Sequence, residues 1–165
     1  MPINENMRRV LIPAVFLAVL VAGSLHSATV MVHIHGDVDV ERDNGDLQRL
    51  VTAVEDGVMA EFFDAGHVVF NRVDRERPLD TADAVHEARQ DGVDIVLAVE
   101  VKIVRIDSAY RVESMVYRAV DVSSGDVYLE DGLDDDVLAR GSAESREEAA
   151  QRAGVEIGAL VIETL

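Results

Sequence analysis

Two histidines open the inventory of side chains that could do chemistry. His33 and His35 lie two residues apart in Thr29 to His35, a stretch rich in β-branched residues and closed by Gly36. That composition predicts a strand, on which residues i and i+2 share a face about 6.5 to 7 Å apart. A third ligand would complete a metal site, and His67, at the start of the next predicted strand, is the nearest candidate by sequence. Tetrahedral zinc also calls for an ordered second shell. The expectation is therefore that His33, His35 and His67 are polar positions, the first two on the less buried face of an edge or first strand. No metal or other cofactor is expected.

Other constellations fail on spacing. Asp37, Asp39, Glu41 and Asp43 alternate as calcium ligands do, but an EF-hand count from Asp39 places Asn44 at the obligatory glycine and Leu50 at the bidentate glutamate. Counting from Asp37 places Arg42 and Gln48 there. These residues read as a solvated acidic loop, as do Asp134, Asp135 and Asp136. His86-Glu87 begins a zincin pattern, yet Gln90 stands where the second histidine is needed. There is no Gly-x-Ser-x-Gly elbow, no cysteine for a thiol nucleophile, and no glycine-rich turn ahead of Lys102 to cradle a phosphate. Carboxylate pairs abound without one standing out as a general acid and base. No catalytic residue is nominated, and the chain is not expected to be an enzyme.

The elements that would position these residues follow from periodicity. Leu47, Leu50, Val51, Val54, Val58 and Phe62 recur at helical spacing up to Gly66, predicting one long amphipathic helix. Val68 to Asn71 reads as a short strand. Asp80 or Thr81 then caps a shorter helix through Gln90, whose thin apolar face suits the rim of a sheet. Asp94 to Ile106 is apolar on both faces at first and alternating later, Tyr110 to Val122 is a long strand with Val112, Val116 and Val120 in one register, and Ser123 to Asp126 turns into Val127 to Glu130. Asp131 to Asp136 reads as an acidic loop, with Val137 to Ala139 as an optional edge strand. Glu144 to Leu165 closes the chain as a helix in which Gly154 and Gly158 allow close approach to the sheet, with a buried strand over Val155 to Ile162 as the alternative. The order β-α-β-α-β-β-β-α predicts an α/β (α+β) domain, a single mixed sheet with helices packed on it.

The first residues read as an address. Met7-Arg8-Arg9 precedes an apolar run from Val10 to Gly23, interrupted by Pro13, and then small and polar residues, the layout of a secretory signal peptide. The run falls short of the roughly 20 residues that span a bilayer, so no permanent membrane span is expected. Ser24, Ser27 and Ala28 are the candidate cleavage positions, with the last two favoured. Residues 1–28 are thus assigned as signal peptide and 29–165 as one domain, exported to the periplasm or outside a bacterium. Without cysteine the mature protein has neither disulfides nor an acylated N-terminus.

Composition restricts the partners. Fifteen Lys plus Arg against 32 Asp plus Glu give a net charge of -17, which repels a row of phosphates, so nucleic acid is excluded as a partner. Lys102 is the only lysine. This asymmetry fits either a salt-rich medium, where screening removes self-repulsion, or codon bias toward arginine.

Three phrases carry a family resemblance. They are Gly66-His67-Val68-Val69-Phe70-Asn71-Arg72, then Ala84 through Ala88 leading to Gly92-Val93-Asp94-Ile95-Val96-Leu97, and Tyr117-Arg118-Ala119-Val120-Asp121-Val122 followed by Ser124-Gly125-Asp126-Val127. Together with the element order, they resemble the α/β domain shared by the curli secretion protein CsgG, the penicillin-binding-protein activator LpoB and the N-terminal domain of TolB, over most of residues 29–165. The resemblance implies a cell-envelope component that works through protein contacts and has no catalytic residues to transfer. Lacking the cysteine and room for membrane-spanning segments, this chain inherits neither lipid anchoring nor pore formation from it. The alternatives are a small-ligand module with a pocket between the first long helix and the sheet, a metal module built on His33 and His35, and, less favoured, a hydrolase.

Overall fold

A computed structural model of the protein describes residues 27–38, 45–72, 80–106, 109–133 and 145–165. The predicted signal peptide, up to residue 26, lies outside them, as do Asp39 to Asn44, the acidic run Asp134 to Asp136 and the optional strand Val137 to Ala139. The elements are β1 (Thr29–Val38), α1 (Gly45–Asp64), β2 (Val68–Asn71), α2 (Thr81–Gln90), β3 (Ile95–Ile106), β4 (Ala109–Asp121), β5 (Val127–Leu133) and α3 (Arg146–Ile162). They form one mixed five-stranded sheet in the order β2-β1-β3-β4-β5 with three helices packed on it, as the sequence predicts. β1 runs parallel to both β2 and β3, and β3, β4 and β5 are antiparallel in series.

Alternation sorts each strand's side chains between two unequal cores. On one face Val30, Val32 and Ile34 of β1 join Leu97, Val99 and Val101 of β3 beneath α1 and α3. The α1 stripe is buried there from Leu47 to Phe62. Each such side chain contributes about 1.5 to 3 kcal/mol relative to exposure. Gly66, at φ 86, ends the turn after α1 in a conformation that favours glycine. α3 starts on a capping box in which the Ser145 hydroxyl accepts from Glu148 N and the Glu148 carboxylate accepts from Ser145 N. Val155 to Ile162 belongs to this helix, not to a buried strand.

Glycines 154 and 158 do permit a close approach, but to α1 and not to the sheet. A Cβ on Gly154 would strike the Val54 carbonyl oxygen and lie 3.0 Å from Val58 N. One on Gly57 would strike Gln151 O, and one on Gly158 would come within 2.8 Å of Glu61 Cβ. The two helices thus touch backbone to backbone, which only residues without a side chain allow.

The second core is smaller. Ala84, Val85 and Ala88 of α2 pack on Met31, Val96, Val120 and Val122 at one end of the opposite face, the rim position predicted for this thin helix. Asp80 caps α2, accepting from Ala82 N and Asp83 N. At the far end of α2, Arg89 Nε donates to Val122 O at 2.7 Å and Arg89 Nη2 to Ser123 O at 3.1 Å.

Three further expectations need correction. β1 is the first strand but not an edge, because β2 and β3 pair on either side of it. β5 reaches Leu133, so Asp131 belongs to a strand and not to an acidic loop. Val112, Val116 and Val120 do not share a face: the β3–β4 register steps from Lys102↔Ser114 to Ile103↔Val112, leaving Glu113 as an extra residue. This bulge turns Val112 into the α1/α3 core while Val116 remains on the other face.

Candidate functional site: the open end of the second sheet face

The odd-numbered residues of β1 point away from α1 and α3. Met31 lies under α2, and the next two positions on that face are His33 and His35, which share a face as their spacing predicts. The register sets His33 beside Ala98 and Arg118, and His35 beside Glu100 and Val116. These residues line a shallow groove of about 180 Å³. His33 at its floor is only 2% exposed, whereas Val116 at its margin is 46% exposed. His33 is thus far more enclosed than the solvated position expected for it. The His33 ring has interactions of its own, but its Nδ1 atom is buried without a hydrogen bond. The tautomer protonated at Nε2 leaves only a lone pair uncompensated there.

Charge on this face is arranged in pairs along the sheet. Arg118 Nη2 donates to Glu130 Oε1 at 2.7 Å across the β4–β5 ladder, where the two residues are direct partners. The hydrogen bond it donates to Glu130 raises the Arg118 pKa above its ordinary value, with a smaller contribution from Glu100. The same bond holds the Glu130 carboxyl below the usual carboxylate value. Lys102 Nζ meets Glu113 Oε2 at 2.6 Å, so the bulge residue neutralises the chain's single lysine. Both pairs are partly exposed, so solvent screens them and they add little to stability.

His67 is not part of this groove. Its Nδ1 accepts from Ala28 N at 3.1 Å, and its ring meets Phe62 edge-on with centroids 5.8 Å apart. Ala28 is five residues before His33 along the strand, a separation of about 16 Å at strand rise. The three histidines therefore do not converge. Among the described residues no three His, Asp or Glu side chains are grouped to hold a metal ion. His86 lies on the exposed side of α2, with the Gln90 amide nitrogen 3.0 Å from its Nε2. The pocket envisaged between the first long helix and the sheet is filled by Val54, Val58, Phe62, Leu97 and Ile157, all fully buried.

Sequence reasoning missed Asp94. Its carboxylate accepts from Thr29 N at 2.7 Å, its N–H donates to Thr29 O, and its carbonyl accepts from Val122 N. One residue thereby ties the start of β1, the start of β3 and the end of β4. Its place directly after the Gly92 turn and before an apolar strand is the only signal of this role.

No protein-family model matches the chain, and no curated protein matches it. Solved structures do. PelC from Paraburkholderia phytofirmans, crystallised as a dodecamer, is similar over 79% of this chain and 84% of its own, with a TM-score of 0.50 and 14% identity. The likeness is one of fold. TolB from Acinetobacter baumannii aligns with 84% of this chain and 28% of its own at a TM-score of 0.38 and 12% identity. The LpoB C-terminal domain from Escherichia coli aligns with 67% of this chain and 83% of its own at 0.36 and 13%. No helix among the described residues is long and apolar enough to cross a membrane.

Proposed function

We propose that this chain is an exported, non-enzymatic accessory protein of the bacterial cell envelope that acts by docking onto other proteins. The observation that carries this reading is the character of the open sheet face. Its groove of about 180 Å³ is smaller than the roughly 300 to 1,000 Å³ of small-molecule sites. Beside it Arg118 is engaged with Glu130 and Lys102 with Glu113 across the strands. Such a surface accepts a partner's side chain more readily than a metabolite, and the exposed Val116 beside it supplies apolar contact. A fold shared with PelC, a protein found as twelve associated copies, is in keeping with work through protein contacts. The amino-terminal basic, apolar and small-residue segments support export, and the net charge of -17 disfavours nucleic acid as the partner.

Crosslinking in intact cells followed by mass spectrometry tests compartment and partner together. The expected result is crosslinks from the sheet face around His35 and Val116 to an envelope protein, reduced by Val116→Glu. Turnover of a substrate by the purified protein, or recovery from the cytosol with the leader intact, would overturn the reading.

A further inference from the structure

We infer that the depression over Ala98 seats one arginine side chain of a basic partner segment, with Glu100 as its countercharge and Val116 as the surface for its aliphatic stem. This rests on the docking reading and deepens it by naming the partner chemistry that the same face fits.

The depression has its cause in one small residue. Two rows of side chains cross the sheet there, His33, Ala98 and Arg118 in one and His35, Glu100 and Val116 in the next. On the α1/α3 side of β3, Leu97 and Val99 are at most 1% exposed. Ala98 faces the other way and stays partly exposed although β3 is the central strand of five, because α2 packs on the Val96 row and not on this one. A methyl group set between the longer side chains of His33 and Arg118 leaves a dip about one side chain wide, within the groove of about 180 Å³. Beside the dip, Glu100 and Val116 are direct register partners on strands about 4.8 Å apart. Both are exposed, Val116 to 46%. A guest that satisfies the two at once needs an apolar stem ending in a cation, which is the construction of arginine and lysine. Arginine is the better match, since its planar fork meets the two oxygens of a carboxylate in parallel.

Charge decides between a cationic and an anionic guest. Along this face Asp37, Glu100, Glu113 and Glu130 stand against Lys102 and Arg118. The two cations are engaged with Glu113 and Glu130, and neither of those pairs includes Glu100. An anion entering the dip would meet Glu100 and would have to displace Glu130 from Arg118. A cation meets Glu100 directly and leaves both ion pairs in place. The net charge of -17 draws a basic segment toward the face from a distance and repels a second copy of the chain.

The test titrates the purified full chain with a capped pentapeptide alternating valine and arginine, and with analogues carrying citrulline or glutamate in place of arginine, while amide NMR shifts are followed. The arginine peptide is expected to move Ala98, Glu100 and Val116 saturably, the citrulline peptide to bind about fivefold more weakly, and the glutamate peptide not to bind. Glu100→Gln should weaken the arginine peptide by a similar factor with Tm unchanged, whereas Glu163→Gln, at the end of α3, should leave its affinity as it was. Binding by no peptide, equal affinity for the arginine and citrulline peptides, shifts spread over the acidic surface, or indifference to Glu100→Gln would overturn the assignment. Crosslinks in cells from this face to a partner segment without a basic residue would overturn it while leaving docking intact. An absence of any crosslink from this face would overturn both.

Discussion

Replacing Gly154 with alanine sets two known effects against each other at a site where the structure decides the sign. In an exposed helix interior the change stabilises by about 1 kcal/mol, because alanine has the better helix propensity. Here the added methyl would collide with the Val54 carbonyl oxygen and sit 3.0 Å from both Val54 C and Val58 N. All three are backbone atoms, which cannot rotate aside as a side chain can. Relief requires α1 and α3 to separate by about 1 Å, and a gap of that size forfeits up to half of the dispersion energy of each contact it opens. Overpacking of this kind costs about 1 to 3 kcal/mol, and an immovable backbone places this site at or beyond the upper end. The net expectation is a loss of about 2 kcal/mol, read by urea or thermal unfolding under circular dichroism, with a drop in Tm of about 8 °C. Gly57→Ala collides with Gln151 O from the other side of the same crossing. One separation relieves both, so the double variant should lose less than the sum of the singles. Gly45→Ala, with open space around its Cβ, serves as the control and should change stability by less than about 0.5 kcal/mol. A Gly154→Ala protein as stable as wild type, or more so, would refute the backbone contact between the helices.

Four further outcomes are expected. Ser145→Ala removes the α3 cap and should cost about 1 kcal/mol. Glu148 is held below its ordinary 4.5 by the Ser145 N–H, so its contribution is complete at neutral pH and fades as pH falls through the depressed value; Glu148→Gln should therefore flatten the acid limb of stability against pH, and an unchanged limb would remove the capping box from the account. Arg118→Ala should let the Glu130 carboxyl return upward to the usual carboxylate range in an NMR titration, whereas an unmoved midpoint would mean that the cross-strand pair is not what lowers it. With a net charge of -17, Tm should climb by several degrees between low and molar salt, and a flat response would assign the arginine preference to codon usage.

Element types and the principal core were legible because periodicity speaks directly to burial. The stripe from Leu47 to Phe62 has one helical solution, and it is the face that the structure buries. Pairing was less legible, since a strand's neighbours leave little mark on its own residues. His33 and His35 suggested the less buried face of an edge or first strand, yet this first strand is interior and His33 is enclosed. The role of His67 depends on Ala28 and Phe62, one of them 39 residues away in sequence. Spacing alone cannot reveal that convergence. Val112 misled for a similar reason, because one unpaired residue at Glu113 reverses the face of everything beyond it. The close approach of Gly154 and Gly158 was visible as an absence of side chains, but nothing in α3 states which neighbour fills the space.

The interior position of β1 has a mechanical consequence. A pull on the chain at Ser27 runs along a strand held by parallel ladders on both flanks, with four register pairs to β2 and nine to β3. Its first residue is clasped by Asp94 as well. Tension from that end loads many hydrogen bonds in shear at once instead of peeling them singly.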